Sequence, residues 1–319
     1  RASTIGLGRA SYDVERFSRS TAKNMAVADA EVKALNRDLM ILSRNMVQLV
    51  SLPLAVLAGG AAITFGKYES EITKIIGLVG IARGEAEKWG KEMLQLGPKL
   101  GKSPQELAEA LYYITSSGFK GAESLNILTE SAKASAAGLG DTKNVADIVT
   151  SAINAYGESI IDATKVTDIL VATVREGKGE PEDLTRSFAT VIPIAARLGV
   201  SFDQVGGALA AMTRLGISAS TSSTYLRQTL FTILKPSSMT RKALAAIGTS
   251  AEELRDSLKN KGLLETLLQL RLMTNKYGEE MMGKVFPNIR AFMGITSILA
   301  SNMDEVQAVF NTTRDSAGM

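Results

Sequence analysis

Apolar residues within positions 18–49 recur at alternating spacings of three and four, which is the heptad pattern of helices that wind around each other. Eight of the ten heptad positions are apolar, and no Gly or Pro interrupts residues 11–50. The pattern predicts one long helix over residues 11–50 that associates with other copies of itself. Its oligomerisation seam consists of Met25, Ala28, Val32, Leu35, Leu39, Leu42, Met46 and Leu49.

The residues that flank this seam leave a second interpretation open. Asp29, Glu31 and Asp38 lie beside it without complementary lysines, so the flanks lack the charge pairs that usually accompany a coiled coil. An ordinary amphipathic helix that packs on its own chain is the alternative.

Residues 45–66 contain no charged side chain between Arg44 and Lys67. A run of this length is able to cross the hydrocarbon core of a bilayer. Pro53 and the pair Gly59-Gly60 interrupt it, which favours a buried helical hairpin instead. If the segment enters a membrane at some stage, its inserting side chains are Leu49, Leu52, Leu54, Val56, Leu57, Ile63 and Phe65.

Residues 67–300 read as a run of short helices, because turn residues are dense and the alternation typical of strands is nearly absent. A unit of Leu-Gly, a helix of about four turns and a second Gly occurs at 100–118, 139–157 and 198–216. The two glycines of each copy are 17 residues apart. Three glycines are expected to end the helices of these copies: Gly118, Gly157 and Gly216.

Smaller signals suggest where the individual helices begin and end. Ser103 with Glu106, and Ser201 with Gln204, match the capping box. A helix is predicted at 181–198 with a kink at Pro193, and a last helix at 287–310 that Pro287 opens.

The predicted fold class is therefore all-α, in the form of an irregular helical bundle that resembles a solenoid. We expect four segments along the chain. They are a coiled-coil-like helix (1–50), an apolar segment that is a candidate for membrane insertion (45–66), a helical core (67–300), and a helix end that leads into a linker (301–319).

Composition argues against catalysis. The 319 residues include no Cys and no His, which excludes thiolate nucleophiles and removes both the usual general base and the commonest metal ligand. Acidic pairs such as Glu106 and Glu109 are typical of solvated helix faces. We therefore expect no enzyme activity and no catalytic, cofactor or metal site. A hydrolase with a carboxylate pair is a minor alternative.

The charge distribution does not predict sequence-specific binding of nucleic acid. The net charge is only +3. Arg227, Lys235, Arg241 and Lys242 can form a modest basic patch, which is more typical of a solubilising surface. The single tryptophan, Trp89, is expected to anchor helix packing.

Several short segments, taken in order, resemble the conserved core of phage tail tape measure proteins. The resemblance begins near residue 65, ends near residue 300, and depends on the order and spacing of the segments. The matching segments include ELAEALYYITSSGF (106–119), AINAYG (152–157), EDLTRSFATVIPIAARLGVSFDQVGGALAAMTRLGI (182–217), TYLRQTLFTILKPS (224–237) and FPNIRAF (286–292).

This resemblance implies a virion structural protein that lies in several copies in the lumen of the tail tube or in the tail tip. It implies roles in tail assembly, in setting tail length and in genome ejection. The implied partners are other copies of the chain, tail tube and tail tip or hub proteins, tail assembly chaperones, and the host envelope after ejection. A pore-forming effector that inserts through 45–66 is the alternative. Because the chain begins with Arg1, we expect a piece of a longer protein.

Overall fold

The computed structural model describes residue 68 and residues 70–319. The heptad seam and the apolar segment 45–66 lie outside the described residues and stay predictions. The described part consists of fifteen α-helices with three short π or 3₁₀ segments, and it contains no strand. The all-α fold class is therefore confirmed for this part of the chain.

The first five helices form the start of a stack. After a π-helical segment at Ile75–Val79, they are α1 (Arg83–Leu100), α2 (Pro104–Ser116), α3 (Gly121–Ala134), α4 (Thr142–Tyr156) and α5 (Ala163–Glu176). Helices α2 and α4 run parallel, because Thr142 bonds Glu106 at their starts (2.6 Å) and Asn154 Nδ2 bonds the Ser117 carbonyl at their ends (3.2 Å). Helix α3 runs back between them, as in an α-solenoid.

The predicted helix at 181–198 is divided into two, which corrects the expectation of a single kinked helix. The segment consists of α6 (Pro181–Ser187), a 3₁₀ turn (Phe188–Thr190) and α7 (Ile192–Leu198). Pro193 lies in the first turn of α7, where a missing N–H removes no helical hydrogen bond. The proline therefore begins a new helix rather than bending an existing one.

The last predicted helix, 287–310, is also two helices. Asn288 accepts a hydrogen bond from the Arg290 amide (2.9 Å), and Asn302 accepts one from the Asp304 amide (3.1 Å), so each asparagine caps its own helix. The helices of the second half are α8 (Phe202–Arg214), α9 (Ala219–Leu234), α10 (Ser238–Ala246), α11 (Ala251–Asn260), α12 (Gly262–Tyr277), α13 (Glu279–Val285), α14 (Ile289–Leu299) and α15 (Met303–Arg314).

The C-terminal stretch 301–319, expected to lead into a linker, contains the complete helix α15. Val306, Val309 and Phe310 of this helix are buried. The Gly318 amide donates to the carboxylate of Asp168 on α5 at 2.8 Å. Packing of an amphipathic helix against the core explains why this stretch is ordered together with the stack.

One continuous hydrophobic core connects the helices from Tyr68 to Phe310. Its largest fully buried side chains include Phe188, Phe202 and Phe286, and Trp89 is also buried. Burial of apolar side chains from many short helices is the main stabilising term, because helices this short are marginal by themselves.

Candidate interaction surfaces

An open groove lies between α7 and α9. Its volume is about 410 Å³, and its floor is formed by Pro193, Ile194 and Phe231 with Thr190 and Gln228 at the sides. Phe231 is 47% exposed although it is a large aromatic residue. We call this feature the basic groove, because Arg227 also lines it.

Cationic side chains surround the basic groove. Arg227 lies one turn before Phe231 on α9, so the two share one helix face, and Lys235 is the residue that follows the end of this helix. Arg197 lies one turn after Pro193 on α7. Among the described residues, Arg197, Arg227 and Lys235 have no ion-pair or side-chain hydrogen-bond partner. The groove therefore combines an apolar floor with uncompensated positive charge.

The four residues of the predicted basic patch (Arg227, Lys235, Arg241 and Lys242) do not form one charged surface. Arg241 donates to the Pro236 carbonyl at 2.8 Å, so it stabilises the turn between α9 and α10. Lys242 lines a second depression of about 450 Å³ between α10 and α13, together with Met239, Met281 and Lys284. Lys284 is paired with a carboxylate one turn away, so this second depression carries less free charge than the basic groove.

A short loop between α4 and α5 projects an apolar side chain into solvent. Ile160 is 65% exposed, whereas its neighbour Ile161 is 4% exposed and anchors the loop in the core. The amides of both residues donate to the Gly157 carbonyl, at 3.0 and 3.1 Å. Gly157 has φ +93°, a conformation that residues with a side chain rarely adopt. The turn that presents Ile160 is therefore held by its own backbone.

Three exposed carboxylates surround Ile160, and we call this loop with its charges the acidic knob (Glu123 and residues 157–162). Glu158 and Asp162 belong to the loop itself, and Glu123 lies in the first turn of α3. Desolvation and the nearby charge of Glu158 raise the pKa of Glu123. No Lys or Arg of the described residues forms an ion pair with these carboxylates. Asp162 caps α5 by accepting from the Lys165 amide at 2.8 Å. The knob therefore combines an exposed apolar tip with the unpaired charges of Glu123 and Glu158.

The titratable groups inside the fold have structural roles. Burial, with a smaller effect of Asp203, raises the pKa of Tyr156, whose hydroxyl donates to the Val200 carbonyl at 3.0 Å. Within residues 70–319, no cluster of three acidic side chains is arranged to hold a metal ion. The same stretch contains no helix of the length and apolar character required to cross a bilayer.

The residues predicted from the sequence do not converge on one site. The seam and the membrane candidates lie outside the described residues. Gly118 and Gly157 follow the ends of the parallel helices α2 and α4, and Gly216 follows α8; all three have positive φ. The basic groove was not predicted from the sequence. The spacing of Arg227, Phe231 and Lys235, one turn apart each time, was a signal that could have indicated it.

Comparisons with known proteins identify the family to which this chain is similar. The family model described as phage-related minor tail protein matches residues 90–289. The tape measure protein of Pneumococcus phage Dp-1 is 21% identical over 305 residues, which cover 95% of this chain and 26% of that protein. A probable tape measure protein of Clostridium phage phiCD119 is 26% identical over 144 residues, which cover 44% of this chain and 15% of that protein.

No solved structure matches the chain. The chain spans about a quarter or less of the length of the two curated relatives. The family model matches more than half of the chain, in the region where the sequence resembles tape measure cores. The chain therefore belongs to the family of phage-related minor tail proteins.

Proposed function

We propose that this chain is the conserved core of a tape measure protein, which acts in tail assembly, takes part in setting tail length and leaves the tail with the DNA at ejection. The alignment with the Dp-1 tape measure protein carries the proposal, because it extends over 95% of this chain. The lack of Cys and His, which removes the commonest catalytic chemistry, supports a structural role.

Within this role, the described part acts as an assembly node rather than as the ruler itself. Its longest helix has 18 residues and therefore extends only about 27 Å. The helices pack on one shared core rather than end to end, so added residues do not add length in one direction. A ruler requires long uninterrupted helices, which would lie in the remainder of the longer protein.

Several copies are expected to lie in the lumen of the tail tube or in the tail tip. The seam from Met25 to Leu49 would hold them around the tail axis. Tail tube and tail tip or hub proteins would be the neighbours in the particle, and tail assembly chaperones would bind before assembly.

Tail length in the assembled phage tests the node and the ruler separately. An insertion of about ten Gly and Ser residues after Gly179, which is exposed between α5 and α6, should leave tail length unchanged. A deletion of about 70 helical residues from the remainder of the protein should shorten the tail by about 100 Å. Tail lengths are measured by electron microscopy. If the insertion changed the length, or if the deletion did not, the proposal would be wrong.

A membrane-active role through residues 45–66 is the second candidate. The absence of charge over this run is the observation that favours it. Liposome flotation should recover the chain with the vesicles, and Leu54→Arg should reduce that recovery. If Leu54→Arg floated as well as the unmodified chain, this segment would not be the one that inserts.

A further inference from the structure

We propose that the acidic knob of one copy docks into the basic groove of a second copy. This proposal depends on the proposed function in one respect, which is that the tail brings several copies of the chain together. It is an interface separate from the heptad seam, and it assigns a partner to two surfaces that have none within the described fold.

The two surfaces match in their apolar character. Ile160 is the exposed tip of the knob, and the groove offers Pro193, Ile194 and Phe231 around a volume of about 410 Å³. Docking would remove Ile160 and Phe231 from water, which is the favourable term in most protein association. The groove is a concave floor and the knob a projecting turn, so the shapes are complementary.

The two surfaces also match in charge. The knob carries Glu123 and Glu158. Arg227 lines the groove and Arg197 lies one turn from Pro193, and none of these four residues has an ion-pair partner among the described residues. Contact between them would relieve like-charge repulsion on both sides. Opposite charges of this kind speed association and select the partner more than they add affinity.

Within one chain, the base of the knob and the floor of the groove lie toward opposite ends of α7, so we place the contact between two copies. The hydrogen bond from Tyr156 to the Val200 carbonyl places the base of the knob beside the C-terminal end of α7. Pro193 and Ile194 belong to the first turn of the same helix, at its other end. Two backbone hydrogen bonds to the Gly157 carbonyl fix the local shape of the turn that carries Ile160. Because each chain carries both a knob and a groove, two copies can exchange both contacts, or each copy can bind the next one head to tail.

Site-directed crosslinking tests this contact cleanly, because the chain has no cysteine of its own. Chains carrying Ile160→Cys are mixed with chains carrying Ile194→Cys and treated with a short thiol-specific crosslinker. The expected product is a crosslinked dimer that contains one chain of each kind. The matched control replaces Ile194→Cys with Leu272→Cys, because Leu272 is 70% exposed and lies on α12, outside both surfaces.

The experiment is done with the intact seam and again with Leu35→Asp and Leu42→Asp, so that failure of the seam is not mistaken for failure of this contact. Formation of the mixed dimer above the Leu272 control in either background supports the proposal. Equal yields in the pairing and in the control, in both backgrounds, would overturn it. That result would leave a different tail protein or DNA as the ligand of the groove.

Charge exchange provides an independent readout. Glu123→Lys with Glu158→Lys in the knob, or Arg197→Glu with Arg227→Glu in the groove, should each lower the crosslinking yield by roughly tenfold. Mixing chains with the reversed knob and chains with the reversed groove should restore the yield, because the charges are again opposite. Circular dichroism checks that the variants fold. A yield that stays low in the reversed mixture would count against the proposed pairing.

Discussion

Two adjacent glycines in α8 set how closely three helices pack. A Cβ atom at Gly206 would lie 2.3 Å from the hydroxyl of Thr173 on α5. A Cβ atom at Gly207 would lie 2.9 Å from the buried ring of Phe310 on α15. These separations are too short for real atoms, so the absence of a side chain is what allows both neighbours to approach α8.

We expect Gly207→Ala to destabilise the protein by about 1–3 kcal/mol, because the added methyl group forces the Phe310 ring and α15 to shift. Urea unfolding followed by circular dichroism measures the change. The matched control is Gly84→Ala in α1, where no atom lies within 4 Å of the new Cβ. That control should stabilise the helix by about 0.5–1 kcal/mol. Equal effects of both substitutions would contradict the packing argument.

Glu106 connects the first two copies of the repeated unit. Its carboxylate accepts from Thr142 Oγ1 (2.6 Å) and pairs with Lys102 Nζ (3.0 Å). Partial burial alone would raise the pKa of this carboxyl, but the hydrogen bonds from Thr142 and Lys102 outweigh it and lower the pKa. Lys102 also donates to Ser135, which in turn donates to the Gly140 carbonyl. The ionised form of Glu106 is therefore the one that the folded state favours.

This network predicts a pH-dependent loss of stability. The pKa of Glu106 is lower in the folded state than in the unfolded state. Its contribution to the free energy of unfolding is therefore fully present above the unfolded-state pKa near 4.3, and it is lost as pH falls through the folded-state pKa. Glu106→Gln should lower the free energy of unfolding by about 1 kcal/mol at pH 7 and by less at acid pH. Unfolding measured across a pH series tests this.

Glu280→Gln is the control for the pH series, since the Glu280 pair with Lys284 is fully exposed and screened by solvent. It should change stability less than Glu106→Gln does. A loss in Glu106→Gln that had the same size at acid and neutral pH would show that the charge of Glu106 is not what stabilises the fold.

At the level of elements, the repeated unit determines how the helices stack. Lys143 at the start of α4 pairs with Glu109 near the start of α2 (3.0 Å). Asn144 Nδ2 then donates to Glu182 at the start of α6 (3.1 Å). The start of α4 therefore contacts both α2 and α6 in the part of the stack that contains the first two copies of the unit. The third copy is joined differently, by the hydrogen bond between Tyr156 and Val200, which accounts for the irregularity of the stack.

The helix caps show where a sequence pattern is sufficient and where it is not. Ser103 accepts from the Glu106 amide at 3.1 Å, as its pattern predicts, but the Glu106 side chain turns to α4 instead of closing the box. Ser201 makes no cap bond. Its partner Gln204 donates to the Ser201 hydroxyl and accepts from the Leu263 amide on α12. The side chains of Glu106 and Gln204 therefore bond to other helices instead of completing the capping box.

The heptad helix is the element whose association is most directly testable. Leu35→Asp with Leu42→Asp places carboxylates in the seam and should convert oligomers into monomers, as measured by gel filtration with light scattering. Ala34→Asp with Ile41→Asp introduces the same charges seven residues apart but outside the seam. This control should leave the oligomer intact. Monomers in the unmodified chain, or equal effects of both pairs, would favour the amphipathic helix that packs on its own chain.

At the level of the whole molecule, the described fold combines one hydrophobic core with two open, charged surfaces. Its core is continuous and has no cluster of acidic side chains suited to a metal within residues 70–319. Its most distinctive surfaces are the basic groove and the acidic knob, which carry opposite charges that the described fold leaves unpaired. These features are compatible with membership of the family of phage-related minor tail proteins.

The amino-acid sequence by itself determined the helical fold class, the repeated Gly-helix-Gly units and most helix ends, because those properties depend on local periodicity, glycine conformation and capping. It also predicted the family, from the order of short segments in the region of the chain that the family model matches, residues 90–289. These are properties that neighbouring residues carry without help from the rest of the chain.

Only the tertiary structure decided which helices pack together and which surfaces stay open. The role of the pair Gly206-Gly207 and the basic groove both depend on residues far apart in the chain. Pro193 and Phe231 are 38 positions apart, yet they line one groove because α7 and α9 pack side by side. Periodicity within one segment contains no information about its neighbour in space, so contacts of this kind cannot be derived from a single sequence.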